Sequence, residues 1–327
     1  MPHALASLTD CIQPQLAAVE RLFHQELSGD LRCVNALVKH VSRFRGKMLR
    51  PCLVLLSGQA CSGDRPLSEA HTVIATVVEM VHMATLVHDD VLDEAELRRK
   101  GATINHLRGN EAAVLLGDYL ISHSYHLCSG LDSQFASRLI GRTTNCVCEG
   151  ELLQLDNRNN LDLDEQTYLQ IIERKTASLC GACCLLGAKF AGAGPEQIAA
   201  METFGLSLGT AFQIQDDILD LVGDVSSVGK TLGIDVEKGK LTLPLIHFLR
   251  CAPSEHQALL RSLLSSPDAD RAERIRNLII PSPSLDYARD RARQLVDRAR
   301  STLLTLPDSE ARRVLDTMAE FVISRPL

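Results

Sequence analysis

The chain has 327 residues, of which 45 % are hydrophobic and 23 % are charged. This ordinary globular composition excludes a disordered or collagen-like chain, and a chain of this length buries enough apolar surface to fold without disulfides. The formal net charge of −7 argues against a general nucleic-acid binder, whose surface has to be basic. Aromatic residues make up only 4 % and Trp is absent, which argues against surfaces that stack on bases.

The N-terminal residues and the cysteines predict a cytoplasmic protein. The first residues, MPHALASLTDCIQPQ, lack the basic and long apolar stretches of a secretory signal. Cys180, Cys183 and Cys184 form a CxxCC cluster, and a structural zinc site is one interpretation. Small apolar residues at helical spacing surround the cluster, so buried free thiols are the favoured interpretation. The same run, residues 179–194, has too few apolar residues for a membrane span and carries Lys189.

Apolar residues three and four apart predict helices along most of the chain, and we find no strand pattern. The predicted helices cover residues 4–27, 47–61, 66–93, 110–130, 134–156, 164–193, 195–223, 241–251, 254–266, 269–279, 285–305 and 308–323. Pro66 and Pro195 stand where two helices should begin. Several middle helices are apolar on nearly every side, which is typical of a buried centre. The sequence therefore predicts one all-α domain over residues 1–327, with an inner bundle and charged outer helices at 252–327.

Two apolar helices end in clustered carboxylates, which a plain core does not explain. ATLVHDDVLDEAELRR contains Asp89, Asp90 and Asp93, and AFQIQDDILDLVGD contains Asp216, Asp217 and Asp220. In each motif the first and last Asp share one helix face, repel each other and lie near the negative end of the helix dipole. One such motif is typical of a solvated helix end, but two copies indicate cation sites. Mg²⁺ is the natural cation, because it is held by one or two carboxylates together with substrate phosphates.

Basic residues accompany both acidic motifs. They are Lys47 and Arg50 beside Gly46 in GKMLRP, Arg98 and Arg99 after the first motif, Lys175 with Thr176 in ERKTASL, and Lys230 and Lys240 after the second motif. Each alone is typical of a surface charge. Together they supply enough cations for two diphosphates, which Arg side chains bind in bidentate fashion.

The motifs GKMLRP, EMVHMATLVHDDVLDEAELRR, GELLQ, KTASL, FQIQDDILD and GK–GID–GK–TLP resemble the trans-isoprenyl (polyprenyl) diphosphate synthase family in order and spacing, over about residues 43–250. The resemblance implies a helical bundle of the isoprenoid synthase type with a central apolar cavity. It also implies that isopentenyl diphosphate is condensed with an allylic diphosphate. A homodimer in the cytoplasm is what the family implies, with no nucleic acid, no membrane span and at most a peripheral membrane contact for product release.

The resemblance also implies roles for single residues. The six aspartates of the two motifs would hold about three Mg²⁺ ions around the allylic diphosphate. Residues implied to contact that diphosphate are Arg98, Lys175, Thr176, Gln213, Lys230 and Lys240. Residues implied to bind isopentenyl diphosphate are Gly46, Lys47, Arg50, His82 and Arg99. The residues expected to act in the reaction itself are Asp89, Asp93, Arg98, Lys175, Asp216, Asp220 and Lys230.

Three other residues near these motifs carry separate expectations. His88 and His106 are expected to have packing roles. The family usually has Gly directly after the paired arginines, whereas Lys100 stands there in this chain. The loop that carries Arg99 is therefore expected to have a different shape.

Product length is predicted from the helix that ends at Asp89. In short-chain members of the family a large aromatic four or five residues earlier blocks the growing tail, and here Ala84 and Thr85 are small. A helix rises about 5.4 Å per turn, close to one extended isoprene, so the chain resembles long-chain, octaprenyl-type members with a product of about eight isoprenes. The alternative is that Ala84 packs against a neighbouring helix. Weaker candidates for the floor of the tunnel are Tyr125, Leu127 and Cys128.

Other functions remain open at this stage. A shorter-chain (farnesyl or geranylgeranyl) synthase would share all the motifs, and a non-catalytic subunit of a heteromeric synthase would share the fold. A terpene cyclase is less favoured, because its second metal motif differs from the second DDxxD seen here. A helical scaffold without activity would leave both acidic motifs unexplained.

Overall fold

The computed structural model describes residues 9–43, 48–63, 65–98, 101–223, 233–268 and 270–324, and within these residues the expected all-α fold is confirmed. The helices are α1 (Gln13–Glu26), α2 (Arg32–Ser42), α3 (Leu49–Ser62), α4 (Glu69–Leu92), α5 (Ile104–Arg108), α6 (Asn110–Ser129), α7 (Gln134–Asp156), α8 (Glu165–Ile172), α9 (Ser178–Phe190), α10 (Pro195–Val222), α11 (Ile234–Glu237), α12 (Leu243–Cys251), α13 (Ser254–Leu264), α14 (Arg271–Ile279), α15 (Pro283–Thr302) and α16 (Glu310–Ile323). Single 3₁₀ turns occupy Asp10–Ile12 and Leu303–Thr305.

Most predicted helices occur within a few residues of their predicted ends, and two starts show how capping sets them. α10 begins at Pro195, as predicted. α4 begins at Glu69 rather than Pro66, because Ser68 caps the helix and its backbone N–H donates to Nδ1 of His71 at 3.2 Å. The expected start at Pro66 was therefore wrong by three residues.

Several features of the fold were not predicted, among them the helix α2, a π-helical turn and a short hairpin. α2 has a short apolar stripe in which Val38 and Val41 are buried. The predicted helix 164–193 is divided by a π-helical turn at Glu173–Ala177, here called the π turn. Leu97–Arg98 (β1) and Gly101–Ala102 (β2) pair as a short antiparallel hairpin.

The chain divides into two compact lobes, and the expectation of one domain stays a prediction. The first lobe is Met1–Thr144, Leu179–Gly205 and Thr302–Thr317. The second lobe is Asn145–Ser178, Leu206–Ser301 and Met318–Leu327.

The core of the first lobe is built on α4, which packs against α1, α3 and α6. Among the described residues, α4 is the helix that is long and apolar enough to cross a membrane, but 67 % of its most apolar stretch is buried. Apolar residues on all sides of a helix are explained by such burial in a core. α4 therefore carries the first acidic motif out of the centre of this lobe.

The CxxCC cysteines belong to the same lobe. Cys180, Cys183 and Cys184 are buried free thiols on α9. Burial raises the pKa of each of these thiols. Buried cysteines among small apolar residues of a helix are what the core-filling interpretation expects.

The second lobe has its own core between α8, α10, α12, α13 and α14. Tyr168 and Ile172 of α8 pack there with Ile214 and Ile218 of α10 and with Phe248 of α12. The apolar face of α10 that joins this core includes the turn before Asp220. The second acidic motif therefore lies in the last turns of a helix that is packed in this core.

Candidate active site

The first acidic motif closes α4, and Arg98 neutralises its buried member. Asp89 and Asp93 are half-buried, and the backbone N–H of Asp93 donates to the carbonyl of Asp89 at 2.8 Å. Asp90 is buried, and Arg98 Nε lies 2.9 and 3.0 Å from its two carboxylate oxygens. Burial raises the pKa of Asp90, and the Arg98 guanidinium opposes that rise. Asp90, predicted to hold a metal, and Arg98, predicted to bind a diphosphate, therefore bind each other in this structure.

The segment that carries Arg98 is fastened to the end of α4. Thr103 Oγ1 donates to the carbonyl of Ala95 at 2.6 Å, and Asn105 Nδ2 donates to the carbonyls of Asp90 and Ala95 at 3.1 and 3.0 Å. The hairpin register pairs Arg98 with Gly101. Neither Thr103 nor Asn105 was predicted as a site residue. Their hydrogen bonds fix the position from which Arg98 reaches Asp90.

The second acidic motif has a buried member with a different set of partners. Asp217 Oδ2 accepts a hydrogen bond from the Tyr168 hydroxyl at 2.6 Å, and Oδ1 accepts one from Gln213 Nε2 at 2.8 Å. Burial raises the pKa of the Asp217 carboxyl and of the Tyr168 phenol well above their usual ranges. Asp216 and Asp220 are half-buried, and Asp220 Oδ2 accepts from the backbone N–H of Asp235 at 3.0 Å.

The π turn presents Lys175 and Thr176. Lys175 Nζ donates to Gln154 Oε1 at 2.9 Å and forms an ion pair with Glu151. Thr176 Oγ1 donates to Gln213 Oε1 at 3.0 Å. Single π turns occur frequently at functional sites, because they change the direction in which side chains leave a helix. Both of these residues, which were predicted to contact a diphosphate, therefore lie in the same π turn.

A close contact between two helical segments explains why Gly150, in the GELLQ motif, is a glycine. A Cβ at this position would lie 2.5 Å from the backbone nitrogen of Lys175 and 2.8 Å from Cβ of Arg174. α7 therefore touches the backbone of the π turn, and only glycine permits this approach. GELLQ was part of the predicted motif series, but Gly150, Glu151 and Gln154 were not predicted as site residues.

A cavity of about 90 Å³ gathers the polar groups of the second lobe. Its lining residues are Gln154, Asn157, Leu163, Tyr168, Ile171, Ile172, Lys175, Thr176, Gln213, Asp217, Asp235, Lys240, Leu241 and Thr242. Four residues predicted to contact the allylic diphosphate are among them: Lys175, Thr176, Gln213 and Lys240. The structure therefore brings together residues that lie more than sixty positions apart in the sequence.

Residues predicted to bind isopentenyl diphosphate are described only in part. Arg50 lies in the first turn of α3, next to Met48, which has a left-handed φ of 54°. The Nε of Arg50 is buried and makes no hydrogen bond among the described residues. His82 is half-buried on α4. Gly46, Lys47 and Arg99 lie outside the described residues, as do Lys100 and Lys230, the latter predicted to contact the allylic diphosphate.

The residues predicted to set product length differ in burial. Ala84 is fully buried, and Thr85 Oγ1 donates to the carbonyl of His82 at 2.8 Å. Cys128 is buried and Leu127 is half-buried, whereas Tyr125 is 37 % exposed on α6. Ala84 therefore lies in the interior of the first lobe, whereas Tyr125 is partly exposed on its surface.

The two histidines near the first motif contact protein groups or solvent. His88 Nε2 lies 3.1 Å from the carbonyl of Val114, and its ring leaves no room for a Cβ at Gly117. His106 is exposed on α5, so the expectation of a packing role was wrong for this residue. His88 thus joins α4 to α6 one residue before Asp89.

The donor atoms of both motifs fit magnesium. Carboxylate oxygens are the ligands that Mg²⁺ prefers, and each motif presents a half-buried pair, Asp89 with Asp93 and Asp216 with Asp220. Across the described ranges, no three His, Cys, Asp or Glu side chains form a cage for a metal. Such pairs would complete a Mg²⁺ shell only with oxygens from a ligand, and Mg²⁺ usually shares its shell with substrate phosphates in this way.

A helical protein with two aspartate motifs at helix ends, and with lysines around a polar cavity, has the features of a metal-dependent enzyme that acts on diphosphates. The family model for polyprenyl synthetase matches residues 32–279. The chain belongs to the polyprenyl synthetase family and is a prenyltransferase, which confirms the family resemblance of the motifs.

Individual relatives support the same conclusion. Octaprenyl diphosphate synthase of Escherichia coli is 33 % identical over 322 residues, which cover 98 % of this chain and 99 % of that protein. All-trans-nonaprenyl-diphosphate synthase (geranyl-diphosphate specific) of Rhodobacter capsulatus is 36 % identical over 314 residues, 96 % of each chain. The crystal structure of polyprenyl synthase from Caulobacter crescentus, complexed with calcium and isoprenyl diphosphate, matches with a TM-score of 0.90 at 33 % identity, over 98 % of this chain and 97 % of that one.

The contact at Gly150 makes a stability prediction. We expect Gly150→Ala to lower the free energy of unfolding by about 1–3 kcal/mol, because the added methyl group must displace the π turn. Gly141 is a matched control on the same helix, since a Cβ there meets nothing within 4 Å. Gly141→Ala should raise stability by up to about 1 kcal/mol through helix propensity. Urea unfolding of both variants measures the difference, and equal stabilities would contradict the close contact.

Proposed function

We propose that this chain condenses isopentenyl diphosphate with an allylic diphosphate, releases diphosphate, and builds an all-trans product of about eight isoprenes. The observation that carries the proposal is the cavity in the second lobe, where Lys175, Thr176, Gln213 and Lys240 converge beside Asp217. The long product is supported by the octaprenyl and nonaprenyl synthases among the relatives and by the small residue Ala84 on α4.

The reaction needs positive charge around the departing diphosphate and water-free, apolar walls around the allylic cation. The allylic carbon–oxygen bond breaks and its electron pair leaves with the diphosphate. The double bond of isopentenyl diphosphate then attacks the allylic cation, and a proton passes to the departing diphosphate. Lys175 and Lys240 supply fixed positive charge where negative charge grows. Ile171, Ile172 and Leu241 line the same cavity and keep water from the cation.

Bound Mg²⁺ would neutralise the diphosphate and make it a better leaving group. We assign its ligands to Asp89, Asp93, Asp216 and Asp220, with about three ions as the expected number. The Caulobacter crescentus relative, complexed with calcium and isoprenyl diphosphate, supports a divalent cation with such a substrate. Asp90 and Asp217 accept hydrogen bonds from Arg98 and from Tyr168 and Gln213, which suits a supporting role.

The oligomeric state and location belong to the same proposal. We expect a homodimer in the cytoplasm without a membrane-spanning helix. Val114, Leu115 and Tyr125 give α6 an exposed apolar side, which is typical of a surface that a second copy covers. The burial of α4 supports the absence of a span.

Purified chain, a short allylic diphosphate, isopentenyl diphosphate and Mg²⁺ test the proposal directly. We expect diphosphate release that depends on Mg²⁺ and on isopentenyl diphosphate, with chromatography showing products of about eight isoprenes. Products of three or four isoprenes would favour a shorter-chain synthase. An inactive chain that gains activity only with a partner protein would identify it as a subunit of a heteromeric synthase.

Single substitutions should separate the two diphosphate sites. Lys175→Ala should mainly raise the KM for the allylic substrate, and Arg50→Ala should mainly raise the KM for isopentenyl diphosphate. Losing one hydrogen bond to a charged group costs about 1.5–3 kcal/mol, which corresponds to tenfold or more. Lys189 is exposed on α9 and serves as the control, with Lys189→Ala expected to leave both KM values unchanged. Equal effects of both site variants on both substrates would contradict the two-site division.

A further inference from the structure

A chain of three hydrogen bonds runs from the core of the second lobe to the π turn. It begins at the hydroxyl of Tyr168, whose side chain lies in the core with 3 % of the residue exposed. Tyr168 donates to Asp217 at 2.6 Å, Gln213 donates to Asp217 at 2.8 Å, and Thr176 donates to Gln213 at 3.0 Å. Tyr168 belongs to none of the sequence motifs, so its hydroxyl has no role in the proposed function as stated so far.

An ionised Asp217 sets the direction of each hydrogen bond in this series. The Oδ1 atom of Asp217 accepts, so the amide nitrogen of Gln213 has to face it. The amide oxygen of Gln213 then faces Thr176, and the Thr176 hydroxyl has to donate to it. Asp217 therefore determines which way Gln213 is turned, and Gln213 determines where Thr176 directs its proton and its lone pairs.

The π turn needs such support from side chains. A regular helix fixes its side chains through its repeating geometry, but Thr176 lies in a single π turn between α8 and α9. α7 touches the backbone of this turn at Gly150. Gln213 of α10 accepts the hydrogen bond that the Thr176 hydroxyl donates. The position of the Thr176 hydroxyl thus depends on Gln213.

We propose that Tyr168 is a positioning residue for prenyl transfer, which fixes Asp217 and, through Gln213, holds the Thr176 hydroxyl beside the substrate. This inference rests on the proposed function. Both carboxylate oxygens of Asp217 are engaged by protein donors, and Asp217 is only 6 % exposed. Asp217 is therefore placed to act on Thr176 through Gln213.

The test compares two tyrosines whose hydroxyls make the same bond. Tyr287 also donates to a carboxylate at 2.6 Å, that of Glu165, and it lies outside the cavity lining. We expect Tyr168→Phe to lower kcat about tenfold with the KM for isopentenyl diphosphate unchanged, because only placement at the transition state is lost. Tyr287→Phe should keep kcat within about twofold of wild type. Urea unfolding should show a larger loss of stability for Tyr168→Phe, because Asp217 is buried, whereas Glu165 is half-buried and keeps its ion pair with Arg291.

A double-mutant cycle tests whether Tyr168 acts through Thr176. If it does, Tyr168→Phe combined with Thr176→Ala should be no slower than Thr176→Ala alone, because the link is already broken. Tyr287→Phe is the control and should leave kcat unchanged in both backgrounds. The double variant with Thr176→Ala should therefore have the kcat of Thr176→Ala alone.

Two results would overturn the inference alone while wild type remains active. They are a kcat of Tyr168→Phe equal to that of Tyr287→Phe, and a full multiplication of the Tyr168→Phe and Thr176→Ala effects. An inactive wild type would overturn the proposed function itself, and the inference with it.

Discussion

Asp89→Ala and Asp216→Ala should each abolish condensation and leave the fold intact. Each variant removes the first carboxylate of a half-buried pair, and this pair is the part of each motif that we propose as the metal ligands. Without the cation, the charge that grows on the departing diphosphate is not neutralised. Carboxylates of one pair repel each other, so each variant should be as stable as wild type, or more stable, in the absence of metal.

Diphosphate release at saturating Mg²⁺ and thermal unfolding with EDTA measure these two effects. Asp297→Ala is the matched control, because Asp297 is exposed on α15. We expect this control to turn over like wild type. Near-normal turnover of Asp89→Ala or Asp216→Ala would remove the metal assignment of that motif, and a large loss of stability would give its carboxylate a structural role instead.

The acidic motifs could be predicted from sequence because they violate a packing rule. Charged residues that follow an apolar helix need a compensating partner, and this holds before any coordinates are known. The structure places both motifs at helix ends, since α4 ends at Leu92 and α10 ends at Val222. The same argument did not identify the partner. For Asp90 it is Arg98, eight residues later, and the hairpin that returns Arg98 to α4 has only two residues in each strand.

The π turn and its supports could not be predicted, for a different reason. Apolar residues continue at helical spacing from α8 into α9, so the inserted π turn leaves no break in the pattern. Tyr168 has the sequence context of an ordinary core residue, and its partner Asp217 lies 49 residues away. Gly150 carried a signal that could have been used, because a glycine inside a predicted helix often marks a close backbone approach. Its partner, the backbone of Lys175, still required the structure.

Ala84→Phe should shorten the product to about three or four isoprenes, because a large ring one turn before the first motif would block the growing tail. Ala84 is fully buried in a cluster with Met80 and Met83 of α4 and with Leu116 and Leu120 of α6. The new ring has to enter the space between these helices. A packed site of this kind resists overpacking, so the variant should also lose about 1–3 kcal/mol of stability.

Chromatography of the products and urea unfolding separate a blocked tunnel from a merely crowded core. If the tail passes Ala84, Ala84→Phe shortens the product and Ala84→Ser, which adds only a hydroxyl, leaves it long. If Ala84 serves only to let α4 pack against α6, Ala84→Phe loses stability and rate while the length distribution stays unchanged. Length is the decisive measurement, because destabilisation alone lowers the amount of active enzyme without changing where the chain stops growing. Unchanged long products would place the tunnel along another face of α4.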